Sequence, residues 1–331
     1  MKIIIPMAGM GKRMRPHTLT VPKPLLPIAG KSIVERLVEE IANTLKSTID
    51  EIAFVTGRFG NEVEENLKNI AMRFGSKASI YYQDEPLGTA HAVWCAAPSL
   101  NDEIIVAFAD TLFDAHFDID RSADGNIFVK QVADPSAFGV VKVDANGVIT
   151  DFVEKPKEFV SDLAIIGIYH FKSGKQLLDE LQYLIDHRQT VNGEYQLTDA
   201  LENMKQKGLK LKTATVSGWF DCGNKNATVD TNQAILKLKG HHVSGSAIID
   251  NSVIIPPCYI GDNVKLANSV IGPYTSVEAG AEIVNSLVRK SIVQRNSRLI
   301  YANLNNSMIG KQAVVEGKVS DLNISDFSQI H

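Results

Sequence analysis

AGMGKRMRPHTLTVPKPLLPIAGKSIVERL, residues Ala8 to Leu37, follows directly on the apolar run Lys2 to Met7. A strand that opens into a glycine loop and then into Lys12, Arg13, Arg15 and Lys23 has the makings of a polyphosphate site. Gly9 and Gly11 let the backbone come close to a ligand and tolerate positive φ, and the cations neutralise phosphate oxygens. Pro16, Pro22 and Pro24 stiffen the segment that carries Lys23, so the lysine is held in place. A dinucleotide-binding turn also follows a first strand with Gly-x-Gly. Its third glycine is Met14 here, and cations and prolines fill the place where a helix N-terminus would receive a pyrophosphate. Helical periodicity resumes only near Ser32. This argues against a nicotinamide-dependent oxidoreductase.

Working outward, apolar β-rich runs recur at Ile3 to Ile5, Ile52 to Val55, Ile80 to Tyr82 and Ile104 to Phe108. Helical patterns lie between them near Ile33 to Leu45, Glu62 to Phe74 and Thr89 to Ala97. That alternation predicts a parallel sheet with crossover helices and with ligands at the carboxyl ends of the strands. After Asp110 the chain turns strand-rich. FGVVKVDANGVITDFVEKP reads as a hairpin around Asp144 to Gly147, an insertion suited to a second lobe closing over a substrate. From about Ser244 short units recur roughly every six residues, as in IGDNVK, LANSVI, GPYTSV and EAGAEI. The period predicts a left-handed parallel β-helix whose coils are stable only when stacked. The coils read as imperfect over Ser286 to Asn306.

Composition bounds the function classes. The 331 residues are enough for one large domain and a smaller one, here 1–240 and 241–331. No apolar run approaches the roughly 18 residues of a membrane span, so a soluble, cytoplasmic protein with no membrane partner is expected. The net charge of −4 gives no global pull toward nucleic acid. Cys95, Cys222 and Cys258 are widely spaced, without metal-ligand spacing, which fits reduced thiols.

The opening segment resembles the signature of the sugar-nucleotide pyrophosphorylases, the nucleotidyltransferases that join a nucleoside triphosphate to a sugar 1-phosphate. Gly9, Gly11, Arg13, Pro16, Thr18, Pro22 and Lys23 stand in the order of that signature, with Lys12 where the family usually has Thr or Ser. The resemblance extends over nearly the whole chain. It implies a Rossmann-like α/β catalytic domain with a mixed, mostly parallel sheet and flanking helices, followed by the β-helix. Several such enzymes carry a β-helix after the catalytic domain.

Nucleotidyl transfer requires charge neutralisation at the α-phosphate, a divalent metal held by carboxylates, and placement of the attacking sugar phosphate. Asp110 ends the apolar run EIIVAFADTL at the ligand edge of the sheet. Asp221, in GWFDCGN, follows the strand-like run Leu211 to Val216 and precedes a helix. Two carboxylates from distant parts of the chain suit Mg²⁺, with waters and phosphate oxygens completing its octahedron. Both match the family's metal-holding aspartates, although Ala109 replaces the usual glycine. Arg13 and Lys23 are the expected catalytic residues. No general base is required, because a sugar phosphate is already an anionic nucleophile.

The remaining assignments rest on the resemblance. Lys155 in DFVEKPKE matches the lysine that grips the sugar phosphate, and Glu154 the glutamate that bonds sugar hydroxyls. Gly139 in FGVV matches the glycine under the sugar ring, with Phe138 where the family has Tyr. Ile165 to Phe171 is expected to line the sugar pocket. GEYQLTDALE supplies Gln196 as a further sugar ligand, with Thr198 or Asp199 capping the next helix. The nucleotide is expected on Ala8, Gly9, Gly11, Lys12, Gln83, Gly88 and Thr89, where Gln83 can donate and accept in the plane of a base. The implied reaction is transfer from dTTP or UTP to glucose 1-phosphate, by a homo-oligomer. GTP-dependent mannose-1-phosphate guanylyltransfer is an alternative. A bifunctional enzyme whose coils transfer an acyl group is disfavoured, since the coil region from Ser244 contains no His before His331. A non-catalytic regulatory relative is disfavoured because Arg13, Lys23, Asp110, Lys155 and Asp221 are all present.

Overall fold

A computed structural model describes residues 1–9, 11–45, 47–114 and 119–319. The chain divides into two compact units: Met1–Leu26 with Ser32–Asn224, and Pro27–Lys31 with the chain from Lys225 onward.

The first unit is built on β1 (Lys2–Pro6), whose Ile3, Ile4 and Ile5 are wholly buried. Such a continuous apolar run belongs to a strand covered on both faces. It is followed by α1 (Ile33–Leu45), β2 (Glu51–Thr56), α2 (Asn61–Arg73), β3 (Lys77–Tyr82), α3 (Thr89–Trp94) and β4 (Ile104–Ala107). In α1, Ile33, Val34, Leu37, Val38 and Ile41 are buried at helical spacing. Ser32 Oγ accepts from Glu35 N at 3.3 Å and closes the helix start. Strands β1, β2, β3 and β4 are parallel neighbours, as the alternation predicts.

Beyond them come β5 (Thr111–Asp114), β6 (Gly125–Gln131), β7 (Gly139–Val143), β8 (Ile149–Glu154), β9 (Leu163–Phe171), α4 (Gly174–Asp186), α5 (Leu197–Gln206), β10 (Leu211–Thr215) and β11 (Gly218–Asp221). The nine-stranded sheet runs β8-β7-β9-β4-β1-β2-β3, with β6 branching off β9 and β10 pairing parallel with β6. The expected hairpin forms around Asp144, whose Oδ1 accepts from Asn146 N at 2.8 Å and Val148 N at 2.9 Å. Contrary to expectation it is not a separate lobe: β7 pairs with β9 through Val140 and Ala164, so the hairpin is the edge of the main sheet. The pivot is β9, antiparallel to β4, β6 and β7. Its register shifts between Ile165 and Tyr169. A shift of this kind bends a strand and re-aims its side chains, and the residues around it face the cleft described below.

In the second unit α6 (Lys225–Lys239) precedes three parallel ladders of short strands. They run from His242–Val243, Ile248–Asp250 and Val253–Ile254 up to Met308–Ile309, Val314–Glu316 and Asn303–Asn305. This coil stack is consistent with a left-handed β-helix, with Ile260, Leu266, Ile271, Val277, Ile283 and Val288 on its dry axis. The segment read as imperfect is regular, but its coils are shorter than three hexads. Stacked serines recur at 17 residues, Ser252 to Ser269 to Ser286, and the next step, in which Ser286 Oγ accepts from Ala302 N, is 16. Corner residues with positive φ, among them Asn251, Asn268, Asn285 and Tyr301, make the tight turns. Buried Asn232 of α6 accepts from Ala29 N at 2.9 Å and Ser276 Oγ at 2.7 Å, tying the helix and the Pro27–Lys31 segment to the stack. The stack also begins earlier than Ser244: its first strand contains His242, stacked on Tyr259 at 5.3 Å. His331 lies outside the described residues. Among the described residues no helix is long and apolar enough to cross a membrane.

Candidate active site

The chain leaves β1 at the carboxyl edge of the sheet, where Met7 N donates to Val55 O at 2.7 Å. Gly11 takes φ 55, and a Cβ there would meet Lys23 Cβ and Thr18 Cγ2 at 3.1 Å each. Thr18 Oγ1 donates to Gly11 O at 2.8 Å and folds the loop back on itself. Lys12–Met14 and Lys23–Leu25 are single 3-10 turns, the second entered from Pro22 and carrying Pro24. The prolines therefore hold a lysine side chain that is only 11% exposed, with Nζ 3.3 Å from Asp110 Oδ2.

Asp110 stands just past β4. Asp221 is the last residue of β11, a short strand that the run Leu211 to Val216 does not reveal. β11 pairs antiparallel with β5, setting Asp221 opposite Thr111, and Cys222 N donates to Asp110 O at 3.1 Å. The two aspartates thus come from adjacent backbone positions. Asp221 Oδ1 accepts from Gly223 N at 2.8 Å. Among the described residues no cluster of three or more His, Cys, Asp and Glu side chains is placed for a metal. Two carboxylates on one edge fit a hard divalent cation that takes its other ligands from water and phosphate oxygens.

Three chambers meet at this edge. One of about 280 Å³ is lined by Gly9, Gly11, Lys12, Arg13, Lys23 and Asp110. A second of about 230 Å³ holds Ala8, Gln83, Gly88 and Thr89 and shares Pro6, Met7 and Gly9 with the first. A third of about 630 Å³ holds Gly139, Glu154, Lys155, Gln196 and Asp221 and shares Arg13 and Asp110 with the first. The residues expected to bind the nucleotide, the sugar phosphate and the metal, with Arg13 and Lys23, each line at least one of these chambers, whereas of the run Ile165 to Phe171 only Ile165, Ile166, Gly167 and Tyr169 do. Arg15 is exposed and lines none of the three chambers.

Aromatic residues supply further walls, and the sequence assigns no role to Phe108 and Trp219 among them. Phe108 lines two chambers, and Phe138 and Trp219 meet edge to face at 4.7 Å. Trp219 Nε1 donates to Thr111 Oγ1 at 3.2 Å. Tyr169 on β9 is buried, and burial first, then the Glu154 and Asp110 carboxylates, raise its phenol pKa, so it stays a neutral donor. Thr198 and Asp199 do not cap α5. The N-cap is Gln196, and Asp199 lies inside the first turn with its carboxyl pKa raised by burial. The helix is instead anchored by Leu197 N donating to Thr89 Oγ1 at 3.0 Å.

Gly88 has a packing reason beside any contact to a base. At φ 107, a Cβ there would lie 2.4 Å from Tyr195 O and 2.7 Å from Tyr195 N. Gly88→Ala is expected to cost about 2 kcal/mol or more, read from urea unfolding, because both backbone strain and a backbone clash resist it.

Glu154 has its pKa raised, first by burial and then by Asp199, against the lowering effect of Lys155. The folded state therefore holds this proton more tightly than the unfolded chain. The resulting stability is present at low pH and is lost as pH rises through the raised titration. Glu154→Gln should melt higher than wild type at neutral pH, with the difference closing below about pH 4. A melt difference independent of pH would contradict this.

A glycine loop with buried and exposed cations, opposed by two carboxylates at the carboxyl edge of the sheet, suits the chemistry of nucleotidyl transfer. The nucleotidyl transferase family model matches residues 2–238, and the chain belongs to that family. It is 29% identical to the low-salt glycan biosynthesis nucleotidyltransferase Agl11 of Haloferax volcanii, over 95% of this chain and 93% of that protein. It is 29% identical to a glucose-1-phosphate thymidylyltransferase of Streptomyces antibioticus with the same coverage. It is 30% identical to the bifunctional protein GlmU of Methanocaldococcus jannaschii, over 94% of this chain and 78% of that one. Among solved structures, a UDP-glucose pyrophosphorylase complexed with UDP-glucose superposes with a TM-score of 0.60 at 27% identity, covering 72% of this chain and 98% of the other. The sequence resemblance to the sugar-1-phosphate nucleotidyltransferases is borne out.

Proposed function

We propose that the protein transfers a nucleotidyl group from dTTP or UTP to glucose 1-phosphate, releasing pyrophosphate, with residues 1–240 as the catalytic domain. The strongest support is the sharing of Arg13 and Asp110 between the glycine-loop chamber and the large chamber, since the α-phosphate must stand where the two substrates meet. The triphosphate lies along Ala8, Gly9, Gly11 and Lys12, and its base faces Gln83, Gly88 and Thr89. The sugar phosphate sits against Gly139, Glu154, Lys155 and Gln196. An oxygen of the sugar phosphate attacks the α-phosphorus in line, the bond to the bridging oxygen breaks, and pyrophosphate leaves with that electron pair. Arg13 stabilises the leaving charge, and Lys23 offsets repulsion between the two anions. Asp110 and Asp221 would hold Mg²⁺, which screens charge at the reacting phosphorus when bound. The β-helix serves assembly into a homo-oligomer in the cytoplasm, since its flat ends and edges are suited to stacking.

The substrate pair is tested by kcat/KM across dTTP, UTP, GTP, CTP and ATP crossed with glucose, galactose, mannose and N-acetylglucosamine 1-phosphates. The highest value is expected for dTTP or UTP with glucose 1-phosphate. A profile led by GTP with mannose 1-phosphate would overturn the assignment.

A further inference from the structure

Gln83 and His91 lie on either side of the turn through Gly88. Gln83 Nε2 is 3.0 Å from Gly88 O and 3.1 Å from His91 Nδ1. A carbonyl oxygen only accepts, so the nitrogen of the Gln83 amide must face it, and the second N–H is left for His91. Cys95 Sγ lies 4.0 Å from the same Nδ1, and burial raises that thiol's pKa, so it remains a weak S–H donor. Both side-chain groups recorded at Nδ1 are thus donors, which calls for a lone pair on Nδ1 and the ring proton on Nε2. Burial lowers the His91 pKa and favours the neutral ring, against a smaller opposing pull from Glu85. Trp94, stacked at 5.8 Å, covers one face of the imidazole. Both N–H groups of Gln83 are consumed inside the protein. Its Oε1 has no recorded partner among the described residues, and Gln83 lines the chamber with Gly88 and Thr89.

We propose that His91 is a positioning residue for base selection: it locks the Gln83 amide so that only an acceptor, Oε1, is offered to the nucleobase. Bases with a ring N–H at that edge, such as uracil, thymine and guanine, satisfy it. Cytosine and adenine present a lone pair there and leave a buried acceptor facing an acceptor. The inference rests on the reading above that Gln83 faces the base.

The test is the ratio of kcat/KM for UTP over CTP, with the preferred sugar 1-phosphate, in wild type, His91→Leu, His91→Asn and Gln83→Leu. His91→Leu, which removes the acceptor, should lower the ratio by about tenfold or more. His91→Asn, whose Oδ1 can accept in place of Nδ1, should hold it within about threefold of wild type. An unchanged ratio in His91→Leu, or an equal loss in His91→Asn, overturns the role of His91. If Gln83→Leu also keeps the ratio, the base-facing reading itself has failed; a ratio lost in Gln83→Leu but kept in His91→Leu places the failure in this inference alone. On wild-type protein, ¹⁵N spectra of the imidazole, assigned by through-bond correlation to the His91 backbone, should show a neutral ring protonated at Nε2. A proton on Nδ1 would overturn the proposal whether or not any variant folds.

Discussion

Changing Asp110 and Asp221 together to Asn is expected to lower turnover by roughly three orders of magnitude. The thermal melt should fall by no more than about 4 °C. The two carboxylates are brought together by backbone, through the β5–β11 pairing and the Cys222 N to Asp110 O bond, and Asn leaves those bonds untouched. Asn also keeps an acceptor for Gly223 N. The pairing of Lys23 with Asp110, whose side chain is half exposed, is lost, and its worth is modest. What Asn cannot supply is negative charge to hold a divalent cation beside three phosphates. A folded double variant with ordinary turnover would remove Asp110 and Asp221 from the metal site.

Lys155→Ala is expected to raise the KM for the sugar 1-phosphate by about ten- to a hundredfold, the value of a charge-assisted bond to phosphate. The KM for the nucleotide should stay within about twofold. Lys155 lines the large chamber and neither of the others, its side chain is 68% exposed, and its Nζ lies 3.9 Å from Glu154 Oε1. Little packing is lost with it. Its φ of 44 is a strain that alanine shares, so the backbone cost is nearly unchanged. Equal increases for both substrates would show that the lysine acts on the shared phosphate site or on the fold.

The parts of this site that local sequence determines were legible. A continuous apolar run specifies β1, glycines and prolines specify the loop that follows, and six-residue periodicity specifies the coil stack. What the sequence hid depends on contacts between distant segments. β11 is four residues with no periodic pattern, and only pairing with β5 defines it. The hairpin of β7 and β8 looks the same in sequence whether it joins the main sheet or stands apart, and the pairing of Val140 with Ala164 decides between them. Thr198 and Asp199 resemble caps, but the chain enters α5 at Gln196 because Thr89, over a hundred residues earlier, takes the Leu197 N–H. Coils of 16 and 17 residues blur a hexad count while stacking without interruption.

The measurement that bears most directly on nucleotidyl transfer to a sugar phosphate is pyrophosphate release by the purified chain with Mg²⁺, supplied with both substrates or with each alone. The in-line displacement proposed above predicts release only when nucleoside triphosphate and sugar 1-phosphate are present together, with one nucleotide-sugar formed per pyrophosphate. Release from triphosphate alone, or none with any pair from folded protein, would contradict it.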